Sequence, residues 1–121
     1  METFQITRVF ADDKGETHFE DIVYPLTDAG PIGYLSAKVS VKDLVFRKVT
    51  PTYDDLHTAP VRQFVVLLNG GVEIESSLGE KRVFDAGQIL LMEDVTGKGH
   101  RSRNLIPQKR NSLFITLADQ T

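Results

Sequence analysis

The feature that most constrains this chain is a repeated interruption. Its apolar residues come in short runs, and each run is cut off by a turn signal before a helical period can build. The runs are "FQITRVF" (4–10), "LVFRKV" (44–49), "RQFVVLL" (62–68), "GVEIES" (71–76), "KRVFDAG" (81–87), "QILLMED" (88–94) and "SLFITL" (112–117). Between and within them lie "DDKG", "DAGPIG", "NGG", "SLGE", "DAG" and "TGKG", clusters rich in glycine and turn-forming polar residues. "GVEIES" alternates Val72 and Ile74 against Glu73 and Glu75, which predicts one buried and one wet face. Many short strands with frequent turns predict an all-β fold, an antiparallel sandwich or barrel. "RQFVVLL" is nearly all apolar, so the strand should be covered on both faces. The N-terminal "FQITRVF" strand or a second subunit would supply the outer cover, and a symmetric homodimer is expected. Residues 25–43 form the one long irregular region and read as a connection lying over the barrel. No repeat or composition break divides the chain, so residues 1–121 are expected to form one domain.

Composition narrows the chemistry. The chain has no cysteine, which excludes disulfides, zinc–cysteine sites and thiol nucleophiles. Seventeen acidic residues against 14 basic ones give a net charge of −3, which argues against a general nucleic-acid binder. The first residues lack an apolar stretch of signal-peptide length, and no run reaches the length of a membrane span. These features predict a cytoplasmic protein with no membrane or nucleic-acid partner.

The polar residues worth following sit in two places. His57, Ala59, Val61 and Gln63 share one strand parity, as do His100, Ser102 and Asn104. If both sets face inward, the interior carries two histidines and an amide on an apolar wall, while Arg101 and Arg103 face out. Imidazoles titrate near neutrality and suit proton transfer, so His57 and His100 are the candidate acid–base pair. Gln63, Asn104 and Tyr53 are candidate ligand contacts, and Asp54 or Asp55 could orient the His57 ring. "TGKGH" lacks the serine or threonine and the helix of a phosphate loop, so its glycines predict a tight turn. His18, between acids, reads as a surface residue. Glu93 and Asp94 read as a solvated strand end. Lys98 and Arg62, as single cations, predict little.

Residues 57–104 resemble the two motifs of the small single-domain cupins, within the RmlC-like cupin superfamily. "HTAPVRQFVVLLNG" places His57 at the first histidine of the first motif and Gly70 at its closing glycine. Ala59 stands where the second histidine would be, and Gln63 where the glutamate would be. "GQILLMEDVTGKGHRSRN" matches the second motif at Gly87, Gly97, His100 and Asn104, with Val95 in place of the proline and a longer stretch before it. Together with "GETHFED", "DAGPIG" and "SLFI", the likeness extends to a group of uncharacterised small cupins. It implies a jelly-roll β-barrel with the ligand site at the barrel mouth.

Such a fold hosts enzymes, sensors and storage proteins alike. A metal would have only His57, Gln63 and His100, since alanine cannot ligate and glutamine brings no charge. The expectation is therefore a small-molecule-binding protein with no cofactor, possessing either metal-independent isomerase, dehydratase or cyclase chemistry or a binding and sensing role. A divalent-metal oxygenase stands third.

Overall fold

A computed structural model describes all residues from Met1 to Thr121. Its regular structure is entirely strands apart from one 3-10 turn at Gly30–Ile32. In chain order the strands are β1 (Thr3–Ala11), β2 (Thr17–Pro25), β3 (Thr27–Asp28), β4 (Tyr34–Leu35), β5 (Val41–Val49) and β6 (Asp54–His57). They continue with β7 (Gln63–Leu67), β8 (Gly71–Glu75), β9 (Lys81–Asp85), β10 (Ile89–Met92), β11 (His100–Asn104) and β12 (Arg110–Leu117). One sheet runs β2-β1-β10-β7-β12-β5 and a second runs β6-β11-β8-β9, with β3 and β4 forming a separate small hairpin.

The sheets face one another across a single interior. Alternation puts Val65 and Leu67 of β7, Leu90 and Met92 of β10 and Val9 of β1 on the inner face of the larger sheet. Val72 and Ile74 of β8 and Phe84 of β9 meet them from the smaller sheet. This is a jelly-roll arrangement of two packed sheets whose strand pairing does not run continuously around a barrel.

The predicted parity of "GVEIES" holds, with Val72 and Ile74 buried and Glu73 and Glu75 half-exposed. β7 is apolar on both faces as predicted, but its outer cover differs from the expected stacked strand. β1 lies in the same sheet, paired in parallel with β10, Thr7 opposite Leu90 and Val9 opposite Met92. It therefore extends the sheet and does not cover it. Outside, Ile6, Leu91 and Leu117 form a second small cluster with Phe64 and Tyr24 packed on it. Residues from the irregular region, including Leu26, Leu35 and Val39, border an apolar groove over that face.

Besides the two-residue strands β3 and β4, which fall in the region read as irregular, two strands escaped the sequence reading. β2, "THFEDIVYP", pairs with β1 along its whole length, from Thr3 opposite Pro25 to Ala11 opposite Thr17. It is an edge strand with little buried surface, so its apolar residues do not alternate cleanly. β6 is short and largely exposed.

Candidate functional site

The turn "TGKG" sets the site's geometry. Gly97 and Gly99 both have positive φ, 88° and 79°. A Cβ on Gly97 would lie 2.6 Å from the carbonyl oxygen of Gly15, and one on Gly99 would lie 2.5 Å from that of His57. No side chain fits at either place, so the turn packs tightly against the β1–β2 turn on one side and the end of β6 on the other. That approach starts β11 directly beside β6, with His100 opposite His57 in the ladder. The two imidazoles stand edge to face, their centroids 4.7 Å apart.

His100 points inward and is only 2% exposed. Its Nδ1 lies 2.5 Å from Oδ2 of Asp94, a carboxylate with 0% exposure whose other oxygen, Oδ1, has no hydrogen-bond partner. The sequence reading of Asp94 as a solvated strand end is corrected here: it follows β10 into the interior, sharing the inward parity of Leu90 and Met92. An ionised carboxylate can only accept, so His100 donates from Nδ1, and the neutral ring then keeps its lone pair on Nε2. The Asp94 backbone carbonyl also accepts from the Ala59 amide at 3.1 Å, tying the two motif loops together.

His57 is half-buried. Burial, and secondarily the neighbouring His100, lowers its pKa below the ordinary imidazole value. Its Nδ1 is 3.1 Å from Asp55 Oδ2, but the angle does not make a hydrogen bond, and the nitrogen stays unpartnered. Proximity of Asp55 is thus present without the ring orientation that the sequence suggested, and Asp54 instead binds Arg101 at 2.8 Å.

Both histidines line a cavity of about 260 Å³ between the sheets. Ala59, Gln63 and Tyr53 border it as well. His57 and Gln63 reach it by a different route from the one parity predicts. β6 belongs to the smaller sheet and β7 to the larger, and the chain crosses between them through a bend at Pro60–Arg62. Parity does not survive that crossing, and Val61 is absent from the wall. Gln63 is buried and faces the cavity beside Val65 and Met92.

Asn104 corrects a second expectation. It shares the parity of His100 and Ser102 but does not line the cavity. Its Nδ2 donates to the carbonyls of Thr50 (2.9 Å), Pro51 and Gln108, and its Oδ1 accepts from Arg110 Nε at 3.0 Å. Asn104 thus holds the chain and Arg110 and lies outside the cavity wall.

Two charged wall residues, Arg47 of β5 and Arg110 of β12, carry no motif or parity signal in the sequence. The first puts its guanidinium carbon 4.9 Å from the Tyr53 ring centre and 4.8 Å from that of Phe114; the second is 5.8 Å from Tyr53. Arg110 is 2% exposed, and burial followed by the charge of Arg47 disfavours its cation.

The remaining candidates lie elsewhere. His18 Nε2 is 2.6 Å from Asp12 at the surface. Glu93 is clasped by Arg8 and Arg62, and Lys98 pairs with Glu16. Arg101 and Arg103 face outward as predicted, onto Asp54 and Glu73. As to a metal, the inward donors are His57, His100 and the neutral Gln63 amide, with Ala59 in the remaining place, a thinner set than the three or four good donors a transition-metal centre normally has. No three histidine or carboxylate side chains converge at ligating geometry.

No protein-family model matches the chain, and no curated protein matches it. Among solved structures it is similar to a crystal structure from Salmonella typhimurium LT2 that carries the provisional name ethanolamine utilization protein Q. The TM-score is 0.50 and the identity 12%, covering 97% of this chain and 98% of that one. Likeness at that identity concerns the fold alone, and together with the two facing sheets it shows a cupin fold, an all-β jelly roll whose interior cavity holds His57, His100 and Gln63.

Proposed function

We propose that the cavity binds a small organic molecule and moves a proton on it without a metal, as an isomerase, dehydratase or cyclase does. The observation that carries this is the buried Asp94–His100 contact at 2.5 Å, set beside His57 on the cavity wall. Asp94 orients the imidazole and stabilises the imidazolium formed when Nε2 takes a proton, so His100 is the base. His57, kept neutral by its partial burial, is the second proton carrier. Gln63 hydrogen-bonds the substrate, and Tyr53 with the apolar wall positions it.

A thermal-shift screen of small organic compounds, followed by product analysis of each hit, tests the function. Conversion that disappears in His57→Ala and Asp94→Asn supports it. Hits that bind and are never converted would leave a binding or sensing module. Stoichiometric transition metal after dialysis, lost in His100→Ala, would overturn the metal-free chemistry. The apolar outer groove of the larger sheet also supports pairing of two copies. Light scattering checks this, and a monomer at micromolar concentration would assign the cover to residues 1–43 alone.

A further inference from the structure

Seven arginines occur in the chain, and five of them, Arg8, Arg62, Arg82, Arg101 and Arg103, are paired with carboxylates. Arg47 and Arg110 have no acidic partner, and both line the cavity. They are also grouped: each lies over the ring of Tyr53. Two like charges gathered around one ring repel each other, and an aromatic face compensates a cation only partly.

Arg110 is the stronger indicator because it is buried. An unpaired buried charge is costly, and natural chains ordinarily supply a counter-charge. Here the fold supplies orientation instead. Nε is fixed by Asn104 Oδ1, and Asn104 is fixed by backbone carbonyls, so the terminal nitrogens of the guanidinium are held in place without an acid to receive them.

We propose that Arg47 and Arg110 form a clasp for the carboxylate of a small organic acid, which fills the cavity with its other end toward His57 and His100. The assignment rests on the small-molecule site proposed above and names its substrate class. A planar carboxylate matches the forked guanidinium. Asp55, the one acid on the cavity wall, forms no ion pair with either arginine, so both guanidinium groups are free to receive the carboxylate. The cavity of about 260 Å³ lies at the small end of ligand pockets, roughly 300–1,000 Å³, which suits a small acid better than a nucleotide-sized anion.

The test uses acetate, propionate and benzoate, each against its neutral amide, with inorganic phosphate alongside. Titration calorimetry should find at least one carboxylate bound about tenfold or more tightly than its amide. That carboxylate should move the Arg110 Nε–H resonance in nitrogen-15 spectra of the unmodified protein. Arg47→Gln, at a half-exposed position whose side chain makes no ion pair, should abolish the preference while the chain stays folded. Equal binding of every acid and amide, an Arg47→Gln variant that keeps the preference, or tighter binding of phosphate would each overturn the clasp. Asp94→Asn separates this assignment from the proton-transfer function: it removes the partner of the proposed base and leaves both arginines. Carboxylate preference without conversion of any hit keeps the clasp and sinks the catalysis. Conversion confined to neutral ligands does the reverse.

Discussion

The two faces of β11 give the sharpest contrast in the molecule. Arg101 and Arg103 point outward, and each meets an acid on a neighbouring strand: Asp54 on β6 for the first, Glu73 and Glu75 on β8 for the second. One residue away on the same strand, His100 points inward to a carboxylate that has no other hydrogen-bond partner, in a cavity whose two arginines form no ion pair. Outward charge is cancelled locally, between side chains that water also solvates, and contributes little. Inward, Arg110 is desolvated, and neither it nor Arg47 is joined to a carboxylate. The fold tolerates such an arrangement where a ligand completes it.

The contrast breaks most decisively on activity. Asp94→Asn keeps the shape of the side chain and removes the charge that stabilises an imidazolium on His100. Turnover of a converted ligand should fall about a hundredfold or more, while binding is retained. Steady-state kinetics of the variant decides, and a loss confined to KM would refute the assigned role.

Stability should follow the same division. His100→Ala leaves Asp94 buried with no partner, a loss of about 3 kcal/mol by urea denaturation. The double variant Asp94→Asn/His100→Ala should recover part of it, because the stranded charge is gone. Additive losses in the double variant would mean that the two residues are not coupled.

A smaller effect comes from pH. The folded-state pKa of His57 lies below its ordinary 6.5. Between those two values the unfolded chain binds a proton that the folded chain refuses. Stability is therefore full above about pH 6.5, falls as the pH drops through that window, and levels off below the lowered value. Denaturation midpoints measured across the range should show this slope in the wild type and a shallower one in His57→Gln.

The least effect belongs to the outer face. Arg101→Ala should change neither ligand affinity nor turnover, and the melting temperature only slightly. A large loss of binding in that variant would erase the distinction between the two faces.

What the sequence revealed follows the same physics. β7, β8, β10 and β12 were legible because each has a strongly apolar face or alternation. β2 was not, because an edge strand with charged residues among its apolar ones carries no such signal. His57, Gln63 and His100 were legible through motif spacing, which fixes positions even where parity fails across the bend at Pro60–Arg62. Asp94 carried a usable signal: it continues the parity of Leu90 and Met92, which outweighs the usual placement of an acid after a strand. Arg47 and Arg110 carried almost none, since their significance depends on forming no ion pair, and neighbours across strands are not written in the local sequence. Asn104 matched its motif position, yet the end of β11 turned its amide toward backbone carbonyls.

The chain has three histidines, so their side-chain nitrogens can be assigned and followed individually. Long-range proton–nitrogen spectra recorded through a pH series test the central arrangement most directly. The account predicts that neutral His100 carries its proton on Nδ1, that this tautomer preference weakens in Asp94→Asn, and that His57 takes up its proton below pH 6.5. A neutral His100 protonated on Nε2, or a His57 that titrates above 6.5, would contradict it.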